Sequence, residues 1–506
     1  MTDKAGSTSD ILDAEIAVIG SGPGGAVTAT LLAEAGYDVL MIEEGGHLGL
    51  DSAPHFSRDE ITQKYRGGGI GVAMGKAKVT YVEGRVVGGG SEINRGLYHR
   101  IPEAVLDDWR RGYRVDALRL ADLQPGFDAC EATAKVSYLP GPAAKLSLKL
   151  HAGAESLGWH SVEVPRLFTY AANPEPGAFG KKQSMSETFV PRFLAAGGRL
   201  QADCRIARLR REAGGWRLEG RLQGEGGRER PLEIRAERVF VACGAVQTPA
   251  LLLRSGIRRN VGDNLRFHTM IKMVARFDEV VNVPGQFDPV HQIKEFDPRF
   301  SMGCSMSSRA VLALTLADRP ERIAEIDRDW QRMGIYYAQM TGGQASVRTL
   351  PGFADPLVRV RYAPADLEVL AEGLRRLAEC LLAAGATTLD PGIGGAPALR
   401  NPADLATLPE MLPSDRSGLS ALHLFSSCPM GEDEHRCAAD SFGRMHGVDG
   451  LHIADSSLLC GPTVVNPQGT VMALAWRNAM HFLEREGRGG RIAAPAPSTE
   501  PAPAEP

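Results

Sequence analysis

"AEIAVIGSGPGG", running from Ala14 to Gly25, decides the fold. Its first half is a short, β-branched apolar run, the composition of a strand buried on both faces of a parallel sheet. Gly20-Ser21-Gly22-Pro23-Gly24-Gly25 then satisfies G-x-G-x-x-G. Gly20 suits a tight turn, Gly22 lets backbone approach a pyrophosphate, and Gly25 lets the next helix pack on the strand. A helix predicted over "AVTATLLAEAG" aims free N–H groups and the positive end of its dipole at that anion. A second buried strand, "YDVLMIEEG", places Glu43 to accept from adenosine ribose hydroxyls. Strand, helix, strand and acid in this order predict a dinucleotide-binding unit, whereas a bare glycine motif would equally fit an unliganded turn. The motif alone leaves open whether the nucleotide carries a nicotinamide or a flavin.

Outward from this unit, 506 residues exceed the usual size of a single core, so two domains or one elaborated domain are expected. An apolar fraction of 43% with 23% charged residues is ordinary globular composition. The net charge of −4 gives no reason to expect nucleic acid or an anionic membrane as partner. No apolar run approaches the roughly 20 residues of a transmembrane segment. "MTDKAGSTSD" at the start lacks the apolar centre of a secretion signal. Eight cysteines without a C-x-x-C pair read as reduced thiols. The expectation is a soluble, cytoplasmic protein.

Glycine clusters at "YRGGGIGVAMG" and "GRVVGGGSEINRG" suggest backbone drawn close to a ligand. A strand meander is predicted from "GRLQADCRIARL" to "PLEIRAERVFVACG", followed by strand, tight turn and helix in "VFVACGAVQTPALLLRSG". Between about residues 268 and 420 the pattern changes to strands with one amphipathic helix, "PADLEVLAEGLRRLAECLLAAG". The chain ends with a helix, "TVMALAWRNAMHFLERE", and a Pro/Ala-rich tail, 487–506, expected to be disordered.

Four separated segments, in order, resemble the glucose–methanol–choline oxidoreductase family. They are the opening unit with "VLMIEEG"; "GRVVGGGSEINRGLYHR"; "GAVQTPALLLRSGI" with "VGDNLRFH"; and "HLFSSCPMG" through "GRMHGVDGLHIADSSLLCGPTVVNPQGTVMALAWRNA". The resemblance implies FAD. It also implies an α/β fold: a discontinuous Rossmann-like FAD-binding domain (12–105, 190–267 and 432–486) and an α+β substrate-binding domain on an antiparallel sheet (106–189 and 268–431). Gly89, Gly90, Ser91 and Asn94 match the segment passing along the flavin pyrophosphate and ring, and Ile206, Gln468 and Thr470 extend the implied cofactor set. Some relatives attach the flavin through a histidine that corresponds here to Ile93, so FAD is expected to be non-covalent. Asp455 beside a pyrophosphate would be a like-charge clash unless it accepts ribityl hydroxyls or backbone N–H groups, which makes it a positioning residue.

Oxidising an alcohol at a flavin requires a base for the hydroxyl proton, which favours histidine. It also requires a second donor to the nascent alkoxide. The family carries such a pair, and the matching residues are His423 in "HLFSSCPMG" and Asn466 in "NPQGT". The last helix, expected to open after "NPQGT", would direct its positive end at the flavin N1–C2=O edge. Ser426-Ser427 and Pro429 depart from the usual residues and would reshape the loop near the base. His423, His435, His446 and His452 lie among Cys428, Cys437 and Cys460 without a tetrahedral zinc spacing, so no metal site is expected. His99 and His268 are read as packing residues. The implied activity is oxidation of a small-molecule CH–OH donor, with oxygen or another acceptor reoxidising the flavin. A redox-silent lyase on the same scaffold and a cofactor-binding protein without turnover are the rival readings.

Overall fold

The strand Asp10–Ile19 lies inside a seven-stranded sheet, hydrogen-bonded in parallel to Val39–Ile42 on one side and Glu229–Val241 on the other. In this computed structural model, residues 10–171, 180–224, 227–283, 286 and 289–491 are described. Most of the expected disordered tail, from residue 492, lies outside them. Arg199–Gln201 extends the sheet beyond Val39–Ile42, and Leu451–Ile453 pairs with the end of Glu229–Val241. Ile16, Ala17, Val18 and Ile19 are all buried, as an apolar run sandwiched on both faces requires. The predicted meander is present as the antiparallel strands Cys204–Glu212, Gly215–Gln223 and Glu229–Val241. The thirteen-residue strand Glu229–Val241 therefore serves two sets of neighbours, antiparallel along its first part and parallel at its end. Helix Pro23–Glu34 follows the glycine turn and is buried over most of its length.

The second sheet has eleven strands, with Leu265–Arg276 paired antiparallel to Met333–Met340 and to Leu419–Phe425. One face of Leu265–Arg276 presents Leu265, Phe267, Ile271, Met273 and Ala275 to a core shared with Leu370, Leu374, Leu377 and Leu381 of helix Pro364–Ala383. Those helix positions recur at three- and four-residue spacing, which puts them on one stripe. The opposite face carries His268, Met270, Lys272 and Val274 by strict alternation. At its far end, Val274 and Ile335 are covered by Leu312 and Ile326 of the helices Arg309–Thr315 and Pro320–Asp329.

Two features cut across the division drawn from sequence. Strands Gly71–Met74 and Val79–Tyr81, within 12–105, pair into the second sheet beside Leu357–Arg361 and Leu419–Phe425. Helix Glu103–Tyr113, which straddles the boundary drawn at 105/106, and helix Leu120–Ala134, within 106–189, bury Leu106, Trp109, Leu123 and Phe127 in the first core. The second of these helices packs on the C-terminal helix, with Gly126 against the Ala473 backbone, which fixes it to the nucleotide-binding side. That C-terminal helix spans Gln468–Arg485, so it opens inside "NPQGT" rather than after it. Among the described residues no helix is long and apolar enough to cross a membrane.

Candidate active site

The glycine turn is built by close approach. A Cβ on Gly20 would stand 2.1 Å from the Ala242 carbonyl oxygen, and one on Gly25 would stand 2.1 Å from the Gly20 carbonyl oxygen. A Cβ on Gly22 would meet nothing within 4 Å, so this residue faces open space. Gly22 is also the N-cap of helix Pro23–Glu34 and offers no side-chain cap, leaving first-turn N–H groups for an anion. The second glycine segment folds onto the first: a Cβ on Gly89 would lie 2.9 Å from Gly22 Cα, and the Gly88 N–H donates to Ser21 Oγ at 3.0 Å. Gly90, like Gly22, has open space at its Cβ position.

Glu43 ends its strand buried, accepting from the Ser21 N–H at 3.1 Å, Ser21 Oγ at 2.7 Å and the Gly45 N–H at 2.9 Å. Burial pushes its pKa up while these three donors pull it back. Asp455 accepts from the Ser457 N–H at 2.7 Å, the Gly244 N–H at 2.9 Å and Thr248 Oγ1. Its carboxylate thereby joins the end of the parallel strand Leu451–Ile453 to the start of helix Gly244–Arg254, the backbone-accepting arrangement that avoids a clash. The Ser91 hydroxyl is occupied internally, donating to the Gly88 carbonyl at 2.7 Å and accepting from the Met185 N–H at 2.9 Å. The Ile206 side chain is in the first core, so both residues have only main chain to offer a nucleotide. Asn94 Nδ2 donates to Gln468 Oε1, tying the second glycine segment to the start of the C-terminal helix. That helix has no side-chain N-cap, and Thr470 Oγ1 in its first turn is fully buried without a partner. Two uncapped helix starts, an open glycine and an unpaired buried hydroxyl fit a flavin dinucleotide. Ile93, an apolar side chain, closes the short turn Gly90–Ile93.

His423 and Asn466 meet. Asn466 Nδ2 lies 3.3 Å from His423 Nε2, although 43 positions separate them. On the other side of the ring, His423 Nδ1 is 2.9 Å from Nδ1 of His268, its cross-strand neighbour. Gln292 Nε2 donates to Asn466 Oδ1 at 3.3 Å, and Gln292 Oε1 is 3.1 Å from His99 Nε2. Gln339 Nε2 reaches His268 Nδ1 at 3.4 Å. One proton assignment serves this whole chain of contacts, with the single lone pair of His268 Nδ1 taken by the nearer donor, His423, ahead of Gln339. His99 Nε2–H donates to Gln292, Gln292 to Asn466, Asn466 to the lone pair of His423 Nε2, and His423 Nδ1–H to His268. That leaves Nε2–H on His268, an atom buried without a partner.

Electrostatics keep the histidines neutral. Burial, then the Lys294 ammonium, pushes the His423 pKa down to about 4. Burial likewise holds His268 and His99 well below the usual imidazole value, with the charges of His423 and Lys294 adding to it. The loop after His423 is pinned by backbone bonds from Ser426 N–H to the Ser456 carbonyl, Cys428 N–H to Ser457 and Met430 N–H to Leu458. The hydroxyls of Ser426 and Ser427 are fully buried and have no partner.

His99 and His268, expected from sequence to be packing residues, both lie in the polar chain through His423: His268 bonds His423 directly, and Gln292 joins His99 to Asn466. Their contribution had no local signal, because it depends on which strands become neighbours. The remaining histidines of the segment 435–452 turn elsewhere: His435 is exposed, His446 Nε2 meets the Gly431 carbonyl at 2.9 Å, and His452 stacks on Phe240. Among the described residues no group of three His, Cys, Asp or Glu side chains could hold a metal ion.

Comparison with known proteins identifies the family and the fold. Models of the GMC oxidoreductase family match residues 59–270 and 346–475, and a model of NAD(P)-binding Rossmann-like domains matches residues 18–67. An uncharacterized GMC-type oxidoreductase of Sinorhizobium fredii is 38% identical across 94% of this chain and 96% of its own. A long-chain-alcohol oxidase of Arabidopsis thaliana is 23% identical across 91% of this chain and 67% of its own. Among solved structures, pyridoxine 4-oxidase from Mesorbium loti superposes with a TM-score of 0.70 at 17% identity, covering 93% of this chain and 99% of that one. Formate oxidase gives a TM-score of 0.71 at 15% identity, covering 95% and 100%. At such identities these two structures speak for the fold.

Proposed function

The chain belongs to the GMC oxidoreductase family, and from that premise we propose that it is an FAD-dependent enzyme oxidising the CH–OH group of a small-molecule alcohol to an aldehyde or ketone. The observation that carries this reading is the meeting of His423 with Asn466 and His268. FAD, held without a covalent bond along Gly22, Gly89 and the start of the C-terminal helix, would supply the hydride acceptor. The chain's own residues do the rest. His423 Nε2, unprotonated at neutral pH, accepts the hydroxyl proton. Asn466 Nδ2 donates to the oxygen as charge grows on it, turning from the imidazole lone pair to the alkoxide. His268 accepts from His423 Nδ1 and so fixes the tautomer that leaves Nε2 as the base. Main-chain N–H groups at the two uncapped helix starts would hold the anionic parts of the cofactor.

Anaerobic mixing of the holoenzyme with a panel of alcohols tests the reading. Loss of the flavin absorbance with release of aldehyde or ketone is the expected result. Release of aldehyde from cyanohydrins with the absorbance unchanged would instead mark a lyase, and a panel without either response would overturn turnover altogether.

A further inference from the structure

Independently of the oxidation at His423, we propose that this protein docks reversibly on the surface of an anionic lipid bilayer, through the outer face of strands Gly71–Met74, Val79–Tyr81 and Leu357–Arg361. Six strands of the second sheet close into a barrel, because Gln344–Arg348 pairs with Leu357–Arg361 on one side and with Leu265–Arg276 on the other. Ala73, Val79, Phe267, Val347, Val358 and Ala421 are buried together inside it. Strand alternation turns the intervening residues outward. Along the hairpin, Val72, Met74, Lys76, Lys78 and Thr80 are exposed while Ala73, Ala77 and Val79 are buried. The register carries this face sideways: Arg359 lies beside Met74, Thr80 beside Val72, and Ser420 beside Thr80. At its margin stand Ile70, 51% exposed, and Leu422, 52% exposed, the bulged residue before His423.

The net charge of −4 conceals an uneven distribution. None of the six barrel strands contains Asp or Glu. Lys76, Lys78, Arg359 and Arg361 are exposed, and their side chains make no hydrogen bond or ion pair among the described residues. Arg348, at the far edge, is balanced by Asp263. The register gathers the four unbalanced cations at the hairpin-turn end of the face, puts Ile70 and Leu422 at the other end, and leaves Val72 and Met74 between them. Exposed apolar side chains beside unpaired cations fit a surface that offers negative headgroups over an apolar interior. The shape favours lipid over a protein partner. The face is the convex outside of a closed barrel, so a protein would need a matching hollow with carboxylates set against each cation. A bilayer deforms around a convex face, and its anionic lipids diffuse to the cations.

The test is co-sedimentation of the full-length, flavin-loaded protein with two kinds of vesicle, phosphatidylcholine alone and phosphatidylcholine mixed with phosphatidylserine. At low salt the mixed vesicles should bind about tenfold tighter or more, and the difference should fade as added salt shortens the screening length from roughly 10 Å to roughly 3 Å. The double variant Lys76→Gln with Lys78→Gln should weaken binding to the mixed vesicles by roughly 10–30-fold. Val72→Ser with Met74→Ser, which leaves the charge unchanged, should weaken it by about fivefold. All four side chains are exposed, so an unaltered melting temperature and flavin content identify a folded variant. None of them contacts His423 or Asn466, so the vesicle result stands whether or not an alcohol reduces the flavin. Equal binding to both vesicle types, no vesicle binding, or variants that bind as wild type does would each overturn the proposal. Weakening in the lysine variant alone would also overturn it, marking a site for any polyanion. A lipid-free dimer seen by light scattering and broken by Val72→Ser with Met74→Ser would assign the face to a second copy instead.

Discussion

The His423 imidazole can take a proton only while it is neutral, and its surroundings set the pH at which that ends. An ordinary histidine titrates near pH ~6.5. With burial and Lys294 pushing this one down to about 4, flavin reduction should stay level from neutral pH downward and fall only as pH drops through about 4. Stopped-flow reduction across pH 4–8 reads this, and a limb near 6.5 would contradict it. Lys294→Met should move the limb upward, since removing a positive neighbour eases protonation. His423→Ala should slow reduction by roughly 10²–10⁴-fold, as expected for loss of a general base. His423 and Asn466 were legible in the sequence because each sits in a recognisable segment at a fixed spacing. His268 was not. Its place beside His423 depends on an irregularity in which Thr269 pairs with Ala421, leaving Leu422 as an extra residue that no local pattern announces.

The two helix starts carry the predictions at the level of the element. In Gly25→Ala the new methyl would meet the Gly20 carbonyl oxygen at 2.1 Å and Ala242 Cβ at 3.0 Å, so helix and strand must separate. A loss on the order of 1–3 kcal/mol is expected, seen as a lower Tm and as flavin lost on gel filtration. Thr470→Val discriminates more finely. It removes a buried hydroxyl with no partner, so the flavin-free protein should melt at the same temperature or higher. Flavin retention should nevertheless fall, and equal retention would remove Thr470 from the cofactor's surroundings. Most elements were readable from periodicity: the opening strand, helix and strand, the meander, and the amphipathic helix Pro364–Ala383. Strands Gly71–Met74 and Val79–Tyr81 were not assigned to the second sheet, because runs this short and rich in glycine give no period. The C-terminal helix begins three residues early for a related reason: Gln468-Gly469-Thr470 looks like a turn until Tyr98 and His99 close over Gly469.

Across the whole molecule, buried histidines make stability sensitive to acid. His452, stacked on Phe240 and edge-on to Phe482, has its pKa pushed down to about 3, by burial first and then by nearby arginines. Unfolded, it would take up a proton near pH ~6.5, so its contribution is whole above that pH and is lost as pH falls towards 3. Buried Glu43, Glu83 and Asp455, pushed upward, act in the opposite sense. The separate effect of His452 is read by comparing His452→Phe with wild type. The difference in stability between pH 7 and pH 5 should shrink by on the order of 1–2 kcal/mol, and an unchanged difference in thermal melts would refute it. The domain division was the least legible level, because each sheet takes strands from distant parts of the chain. That interleaving has a consequence during synthesis. Leu451–Ile453 is the last strand of the sheet that Asp10 begins, and the helix start carrying Thr470 lies later still. A ribosome must therefore release the segment from Leu451 through the start of the helix Gln468–Arg485 before either the nucleotide cleft or the proton-accepting pair can close, so capture of the cofactor waits on these late segments.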